Sequence, residues 1–199
     1  MKTICIIPAR GGSVRIPRKN IKEFHGKPII AYSIEKALAS GLFSRVIVST
    51  DDKEIANYCV VNHGVEVYMR PFNECEGDKG TQEVVAQCLK GIKADDYDHV
   101  CCLYATAPLM DINDLMKGYV LLASWTGDFV EYVMSVGYPP LQDAAQFYWG
   151  LAFSFRGDSP LITKHTRLVH VDANRVCDIN TMKDWRRAEI MYERLGCDS

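Results

Sequence analysis

One stretch near the N-terminus decides the fold: Ile7-Pro8-Ala9-Arg10-Gly11-Gly12-Ser13-Val14-Arg15-Ile16-Pro17-Arg18-Lys19-Asn20. It follows a short apolar run, residues 3–7, that predicts a buried strand. Adjacent glycines allow backbone N–H groups to turn inward and form a concavity that binds anions. Positive charge surrounds this concavity, from Arg10, Arg15, Arg18 and Lys19. A strand that opens into such a loop predicts a phosphate-binding site.

Two common phosphate-binding motifs do not fit this loop. The Walker motif needs a Gly-Lys pair followed by Ser or Thr, and the dinucleotide motif needs G-x-G-x-x-G. Residues 11–16 supply neither pattern. An ordinary turn with solvated basic side chains is the alternative that the residues leave open. We favour the phosphate site because like charges crowded into so few residues repel one another unless an anion or a carboxylate lies near.

The composition is that of one globular domain, which we expect to span residues 1–199. Hydrophobic residues make up 48% of the chain and charged residues 24%. A net charge of −2 favours neither nucleic acid nor an anionic membrane as a partner. No apolar run approaches the roughly 20 residues of a membrane span, and the run before Pro8 is too short for a secretory signal. We therefore expect a cytoplasmic protein.

The cysteines predict buried, reduced thiols. No C-x-x-C pair occurs, and the five histidines show no metal-ligand spacing, so the residues do not favour a disulfide framework or a zinc site. The eight cysteines are Cys5, Cys59, Cys75, Cys88, Cys101, Cys102, Cys177 and Cys197.

Strand and helix patterns alternate over the first 122 residues. Strands are predicted at 3–7, 46–50, 65–69 and 99–104, and helices at 28–41, 53–62, 81–92 and 111–122. Strands that are apolar throughout and alternate with helices predict an α/β protein with a mostly parallel sheet covered on both sides. Ligands then bind beyond the carboxyl ends of the strands. We expect residues 10–19, Asp51-Asp52 and the turn at 105–108 to meet there.

The later part of the chain is less regular. Strands are predicted at 129–136, 146–155 and 169–171, with a break at Tyr138-Pro139-Pro140. Residues 181–184 resemble a capping box that begins a helix, and Gly196 ends that helix.

Several motifs, taken together and in order, resemble those of the sugar-acid cytidylyltransferases. They are residues 7–13 with 16–20, Val48–Asp52, Tyr104–Pro108 and Asp178–Thr181. Residues 143–149 and Asp184-Trp185 resemble the pseudaminic acid branch more than the sialic acid or Kdo branches. The resemblance covers residues 3–112 and 143–195. It implies a three-layer, Rossmann-like nucleotidyltransferase fold formed by a single cytidylyltransferase domain.

The resemblance also implies a reaction. The anomeric hydroxyl of a nine-carbon 2-keto sugar acid, pseudaminic acid, attacks the α-phosphate of CTP and releases pyrophosphate. Such a displacement depends on positioning and charge neutralisation. Mg²⁺ as cofactor and a homodimer are implied as well. Two alternatives stay open: a degenerate, non-catalytic nucleotide-binding homologue, and a sialic acid (N-acylneuraminate) cytidylyltransferase.

The family's functional residues fall on definite positions of this chain. Arg10 and Lys19 would hold the triphosphate as catalytic residues. Gln146 and Tyr148 would face the sugar acid, and Asp178 and Asn180 would bind the metal. The nucleotide would be surrounded by Ala9, Arg10, Gly11, Gly12, Ser13, Asn20, Arg70, Thr81 and Thr106.

Each assignment has a structural alternative that the residues alone support. Asp51 and Asp52 are expected to cap the following helix rather than bind metal. In an aromatic strand only alternate side chains share a face, so part of residues 147–149 would fill the core. Asp178 alone would be a turn residue, and Arg70, which precedes a proline, a solvated loop residue.

Four positions depart from the family pattern. Val14 replaces a lysine, so Val14→Lys is expected to raise turnover if the loop holds phosphates. Asn180 replaces an aspartate and offers Mg²⁺ only a neutral oxygen. Ala105 replaces a proline in a turn. Ala145 replaces a glycine, where a Cβ is expected to clash or to force a negative φ. The chain is also shorter than the family near residues 138–143, where we expect a missing or mobile segment.

Overall fold

Seven strands form one sheet in the computed structural model of the protein, which describes residues 1–71, 80–124, 130–138 and 141–196. Two further strands form a small hairpin. The strands are β1 (Thr3–Pro8), β2 (Glu23–Phe24), β3 (Lys27–Pro28), β4 (Arg45–Thr50), β5 (Glu66–Met69), β6 (His99–Leu103), β7 (Tyr132–Tyr138), β8 (Gln142–Leu151) and β9 (Thr166–Asp172). The helices are α1 (Ile29–Ala39), α2 (Lys53–His63), α3 (Thr81–Gly91), α4 (Ile112–Ala123), α5 (Ala152–Arg156) and α6 (Met182–Arg194).

The sheet is mostly parallel, as predicted. Its strand order is β5-β4-β1-β6-β8-β7-β9. β1 pairs in parallel with β4 and β6, and β4 pairs in parallel with β5. β8 is antiparallel to both of its neighbours, β6 and β7, whereas β9 is parallel to β7. Among the described strands of this sheet, β8 is thus the one that runs in the opposite direction.

Helices cover both faces of the sheet. On one face, α1, α2 and α4 bury Ile34, Ile55 and Leu115 against β1, β4, β6 and β8. On the other face, α3 and α5 bury Leu89 and Phe155 against the opposite side of the same strands. This arrangement confirms the expected three-layer, Rossmann-like α/β fold.

The C-terminal helix α6 packs against the small β2–β3 hairpin. It begins with the predicted capping box, in which Thr181 Oγ1 accepts from Asp184 N and the Asp184 carboxylate accepts from Thr181 N. One turn later, Trp185 packs edge-on against Phe24 with ring centroids 5.6 Å apart. Gly196 follows the helix with a φ of +64°. The cap and the aromatic contact together fix the residues that precede α6.

The aromatic strand predicted at 146–155 is shorter than expected at its C-terminal end. β8 ends at Leu151, and residues 152–156 form helix α5. At the start of α5, Ala152 N donates to Asp98 O (3.0 Å) and Phe153 N donates to Asp96 O (3.1 Å). The two carbonyls accept from N–H groups at the start of α5, which have no partner within the helix. Periodicity cannot separate a short apolar strand from a short buried helix, which explains the wrong assignment.

Some expectations concern residues outside the described ranges. Phe129, Pro139 and Pro140, Cys75 and Cys197 are among them. Tyr138 belongs to β7 rather than to a break, and Gly137 lies opposite Gln142 of β8. The expectations of one domain and of a missing or mobile segment near 138–143 stay predictions.

The described cysteines agree with the expectation of buried thiols. Cys177 is partly exposed, and the other five are buried: Cys5, Cys59, Cys88, Cys101 and Cys102. In the described ranges, none of the helices has both the length and the apolar character that crossing a bilayer requires.

Candidate functional site

The predicted edge of the sheet brings the candidate residues together. Ala9 N, just after β1, donates to Ser49 O of β4 (2.8 Å), and Arg70 N donates to Thr50 O (2.8 Å). Since β8 is reversed, its first residues lie at the edge where β1, β4 and β6 end. Tyr104 N accordingly donates to Gln146 O (2.9 Å).

The glycine pair places the loop against the carboxylates that follow β4. Gly11 N donates to Asp51 Oδ1 (2.8 Å). A Cβ on Gly11 would overlap the side chain of Asp52, so only glycine permits this approach. Gly12 has no neighbour within 4 Å of an added Cβ. In this conformation the Gly11 N–H therefore already binds an anion, the Asp51 carboxylate.

Arg18 has a different role from the one its sequence position suggested. Its backbone is left-handed, with a φ of +57°, and its guanidinium binds both Asp52 and Glu54. Asp52 caps α2 as predicted, accepting from Glu54 N (2.9 Å) and Ile55 N (3.0 Å). The hydrogen bond from Arg18 holds the pKa of Asp52 below its usual range. Arg18 thus ties the loop to α2, and its charge is neutralised there.

Lys19 lies inside the loop and contacts the segment that precedes α6. Its Nζ donates to Ile179 O (2.7 Å). Burial lowers the pKa of Lys19, and Arg10 and Arg15 lower it further, whereas Asp178 raises it. The structure thereby places the two predicted catalytic residues in one electrostatic environment with the predicted metal ligand Asp178.

A second bridge joins the loop to the same segment. Arg15 donates to Asn180 Oδ1 (2.9 Å), and Asn180 Nδ2 donates to the Asp178 carboxylate. Both candidate metal ligands are therefore connected to the basic loop. The oxygen that Asn180 would offer to a metal faces a guanidinium.

The remaining loop positions divide into buried and exposed ones. Ala9 is fully buried, and Asn20, 6% exposed, donates through Nδ2 to Arg10 O (2.9 Å). The Arg10 side chain is exposed. Val14 is 89% exposed, so its replacement by lysine disturbs no packing.

Arg70 is buried at this edge rather than solvated. Its side chain is 7% exposed, and its guanidinium lies 3.5 Å from Asp51 Oδ1. Asp51 therefore links Arg70 to the Gly11 backbone. The expectation that Arg70 is a solvated loop residue is wrong. Burial of a guanidinium beside its carboxylate partner explains the placement.

A set of aromatic and polar side chains lies at the start of α3, after β6 and in β8. Thr81 Oγ1 lies 2.8 Å from the Tyr104 hydroxyl, and the Tyr104 ring lies 5.6 Å from the Tyr148 ring. Gln146 Nε2 donates to Arg175 O (2.7 Å). Gln146 and Tyr148 are 3% and 2% exposed, so their contact with a sugar acid stays a prediction.

Neighbouring positions of these elements are core. Phe147 and Trp149 pack into the cluster under α4, on the face opposite Tyr148, which confirms the predicted alternation. Thr106 is 9% exposed in the turn after β6, and Ala105 beside it is buried.

Ala145 contradicts one expectation. Its φ is +50°, so the backbone keeps the left-handed conformation instead of changing to a negative φ. Asp143 Oδ1 accepts from Ala145 N (2.8 Å), and Asp143 Oδ2 accepts from the Tyr148 hydroxyl. The side chain of Asp143 therefore compensates for the strain that the Cβ introduces.

Sequence reasoning assigned no role to Asp143 or Tyr104. Asp143 carried a usable signal, because an aspartate side chain often accepts a hydrogen bond from the backbone two residues later in a turn. Tyr104 carried no such signal, since its contact with Thr81 joins residues 23 positions apart.

The described residues offer a metal ion few ligands of their own, so phosphate oxygens and water would have to supply the rest. The described ranges contain no group of three or more His, Cys, Asp and Glu residues that could hold a metal ion. Asp184, near Asp178, is occupied by the backbone and hydroxyl of Thr181. Mg²⁺ commonly takes one or two carboxylates together with substrate phosphates and water, and Asp178 meets that requirement.

The chain resembles cytidylyltransferases in sequence. The sequence profile of the cytidylyltransferase family matches residues 4–122. The chain is 34% identical to the pseudaminic acid cytidylyltransferase of Campylobacter jejuni (strain 81-176), over 97% of each chain. It is 47% identical to the CMP-N,N'-diacetyllegionaminic acid synthase of Legionella pneumophila, over 70% of this chain and 61% of that protein.

A solved structure has the same fold. The CMP:2-keto-3-deoxy-manno-octonic acid synthetase complexed with CTP superimposes with a TM-score of 0.77. The superposition covers 98% of this chain and all of the other, at 15% sequence identity.

Proposed function

The chain belongs to the cytidylyltransferase family, and on that premise we propose that it transfers CMP from CTP to the anomeric hydroxyl of pseudaminic acid. One observation carries the choice of acceptor. The match to the Campylobacter pseudaminic acid enzyme extends over 97% of both chains. It therefore includes β8 and the segment before α6, which lie beyond the end of the family profile at residue 122.

The loop after β1 is the proposed triphosphate site. Arg10 and Lys19 hold the phosphates in this proposal, the first with an exposed guanidinium and the second with a partly buried ammonium. Gly12 and Ser13 offer further backbone donors in this proposal, the Ser13 N–H once it leaves Gly11 O (3.1 Å) and the Gly11 N–H once Asp51 releases it. The new P–O bond to the sugar forms as the bond to pyrophosphate breaks, and the proton of the anomeric hydroxyl passes to water. These cations stabilise the charge on the leaving group.

The base and sugar sites flank the triphosphate. Ala9, Asn20, Arg70, Thr81 and Thr106 surround the cytidine in this proposal. Gln146 and Tyr148 face the acceptor. Their support is the hydrogen-bonded and ring contacts that connect Thr81, through Tyr104, to Tyr148.

Mg²⁺ is the proposed cofactor, with Asp178 as the protein ligand and Asn180 as the weaker one. When bound, such an ion neutralises phosphate charge and polarises the α-phosphate. Lys19 supplies positive charge at the same place. Arg15 orients Asn180 and, through it, the Asp178 carboxylate.

A homodimer and a cytoplasmic location complete the proposal. The homodimer is supported by the family resemblance, and the cytoplasmic location by the free thiols of the described cysteines. Light scattering after size exclusion tests the first, with a mass of twice 22.4 kDa expected. Cell fractionation tests the second.

The decisive experiment is an acceptor panel. The protein is incubated with CTP, Mg²⁺ and, separately, pseudaminic acid, a legionaminic acid, N-acetylneuraminic acid and Kdo, and pyrophosphate release is measured. We expect release with pseudaminic acid to be the fastest. A fastest rate with N-acetylneuraminic acid would support the sialic acid alternative. CTP binding without release with any acceptor would support the non-catalytic alternative.

A further inference from the structure

We propose that Asp143 is a positioning residue for the acceptor side of the site, where its two carboxylate oxygens hold the Tyr148 hydroxyl and the left-handed turn at Ala145. The inference rests on the proposed function, because it is the sugar acid that would lie against Tyr148. Asp143 touches neither substrate in this proposal and acts through the residues that it fixes.

The first contact fixes a buried tyrosine. The Tyr148 hydroxyl donates to Asp143 Oδ2, and the Tyr148 side chain is 2% exposed. Burial raises the pKa of Tyr148, and the Asp143 charge raises it further, so the phenol stays protonated. A charge-assisted hydrogen bond of this kind is stronger than a neutral one. Asp143 itself is exposed at the edge, so its replacement opens no cavity in the core.

The second contact fixes the backbone between Asp143 and Tyr148. Met134 of β7 pairs with Tyr148, but Val136 pairs with Asp143, so residues 144–147 face a single residue of β7. Ala145 lies in this irregular stretch with a φ of +50°, and its N–H donates to Asp143 Oδ1 (2.8 Å). Asp143, at one end of this irregular stretch, thus bonds to Ala145 within it and to Tyr148 just beyond it.

The position of Tyr148 then determines that of its neighbour. The Tyr148 ring packs 5.6 Å from the Tyr104 ring, whose hydroxyl lies 2.8 Å from Thr81 Oγ1. If Tyr148 loses its bond to Asp143, the residues on the acceptor side lose their positions directly. The nucleotide side is affected only through the contact of Tyr148 with Tyr104. The expected signature is therefore a selective effect on the sugar acid.

The first test separates the two substrates. Asp143→Asn keeps the shape of the side chain but removes the charge that Tyr148 binds. We expect the KM for the sugar acid to rise about tenfold, while the KM for CTP stays within about twofold. Asp158→Asn is the matched control, because Asp158 is exposed and has no hydrogen bond or ion pair in the described part of the chain. A variant that behaves like this control, or one that raises both KM values equally, would overturn the proposal.

The second test asks whether Asp143 acts through Tyr148. Tyr148→Phe removes the hydroxyl and leaves the ring. In that background, Asp143→Asn should change the KM for the sugar acid by less than about twofold, because the contact that it weakens is already absent. Independent, multiplicative effects of the two substitutions would contradict a shared role.

The third test needs no acceptor, so it distinguishes a failure of this inference from a failure of the proposed function. Glycine adopts the positive φ at position 145 without strain, so it does not need the hydrogen bond to Asp143. Asp143→Ala should lower the melting temperature of the wild-type chain clearly more than that of the Ala145→Gly chain. Equal losses in both backgrounds would show that Asp143 does not hold the turn, whatever the acceptor panel gives.

Discussion

At the scale of single residues, Ala145 has a backbone conformation that glycine adopts more easily. A left-handed φ costs a residue with a Cβ roughly 1–2 kcal/mol. Ala145→Gly is therefore expected to raise the free energy of unfolding by about 1 kcal/mol. Urea denaturation measures this change. Ala144→Gly is the control, since Ala144 is 1% exposed with a negative φ, and we expect it to destabilise the protein. A loss of stability in Ala145→Gly would contradict the strain argument.

Arg18 offers a second test at this scale. It combines a φ of +57° with ion pairs to Asp52 and Glu54. Both Arg18→Gly and Arg18→Ala remove the ion pairs, but only glycine tolerates the backbone conformation without strain. The glycine variant should be the more stable of the two by about 1 kcal/mol, read from their urea unfolding curves. Equal stability would mean that the loop changes its backbone once the side chain is gone.

Residue roles were predictable where they depend on neighbours in sequence. Asp52 as a helix cap and Thr181 with Asp184 as a capping box needed only local spacing. The burial of Arg70 beside Asp51 and the partners of Arg18 depend on contacts between distant segments, for which one sequence carries no signal.

At the scale of elements, the contact between the basic loop and α2 predicts a dependence on pH. The folded-state pKa of Asp52 lies below its unfolded value of about 3.9. The ionised Asp52 carboxylate therefore stabilises the folded state fully above its unfolded pKa, and this stabilisation is lost as the pH falls through the folded pKa. The Arg18 side chain is 39% exposed, so solvent screening limits the effect to under about 1 kcal/mol.

Asp52→Asn isolates this charge, because asparagine still caps a helix. The variant should be less stable than the wild type at pH 7, and the difference should shrink below about pH 4. Urea unfolding at a series of pH values measures it. If the stability difference between the variant and the wild type stays constant down to the lowest pH, the ion pair of Asp52 with Arg18 is not its cause.

Elements were predictable where their pattern was long. The helices at α1 to α4 and the first strands follow from periodicity and from stop signals such as Gly64, which has a φ of +64°. Helix α5 and the β2–β3 hairpin are too short for a period to be read. Tertiary contacts decide their structure.

At the scale of the whole molecule, CTP should stabilise the fold through the loop after β1. A ligand at a hundredfold excess over its dissociation constant adds about 2.7 kcal/mol to the free energy of unfolding. We expect CTP to raise the melting temperature of the wild type, and Lys19→Met to reduce that rise. Lys90→Met is the control, because Lys90 is an exposed lysine of α3. An undiminished shift in Lys19→Met would place the triphosphate elsewhere.

The architecture as a whole was accessible from sequence, because alternating strands and helices allow few arrangements. The reversal of β8 was not accessible. Its aromatic residues are buried on both faces, so the pattern resembles that of its parallel neighbours. Only pairing with β6 and β7 shows its direction.

That reversed strand has an evolutionary consequence. It places residues 142–148 at the same edge as the loops of β1, β4 and β6, although they come from a separate, later stretch of chain. On the proposed function, most of the acceptor side is then encoded after α4 and most of the nucleotide side before it. In that proposal, substitutions after α4 change the acceptor side and leave residues 9–20 of the nucleotide side in place. Chimeras joined between α4 and β7 would inherit their acceptor preference from the C-terminal parent.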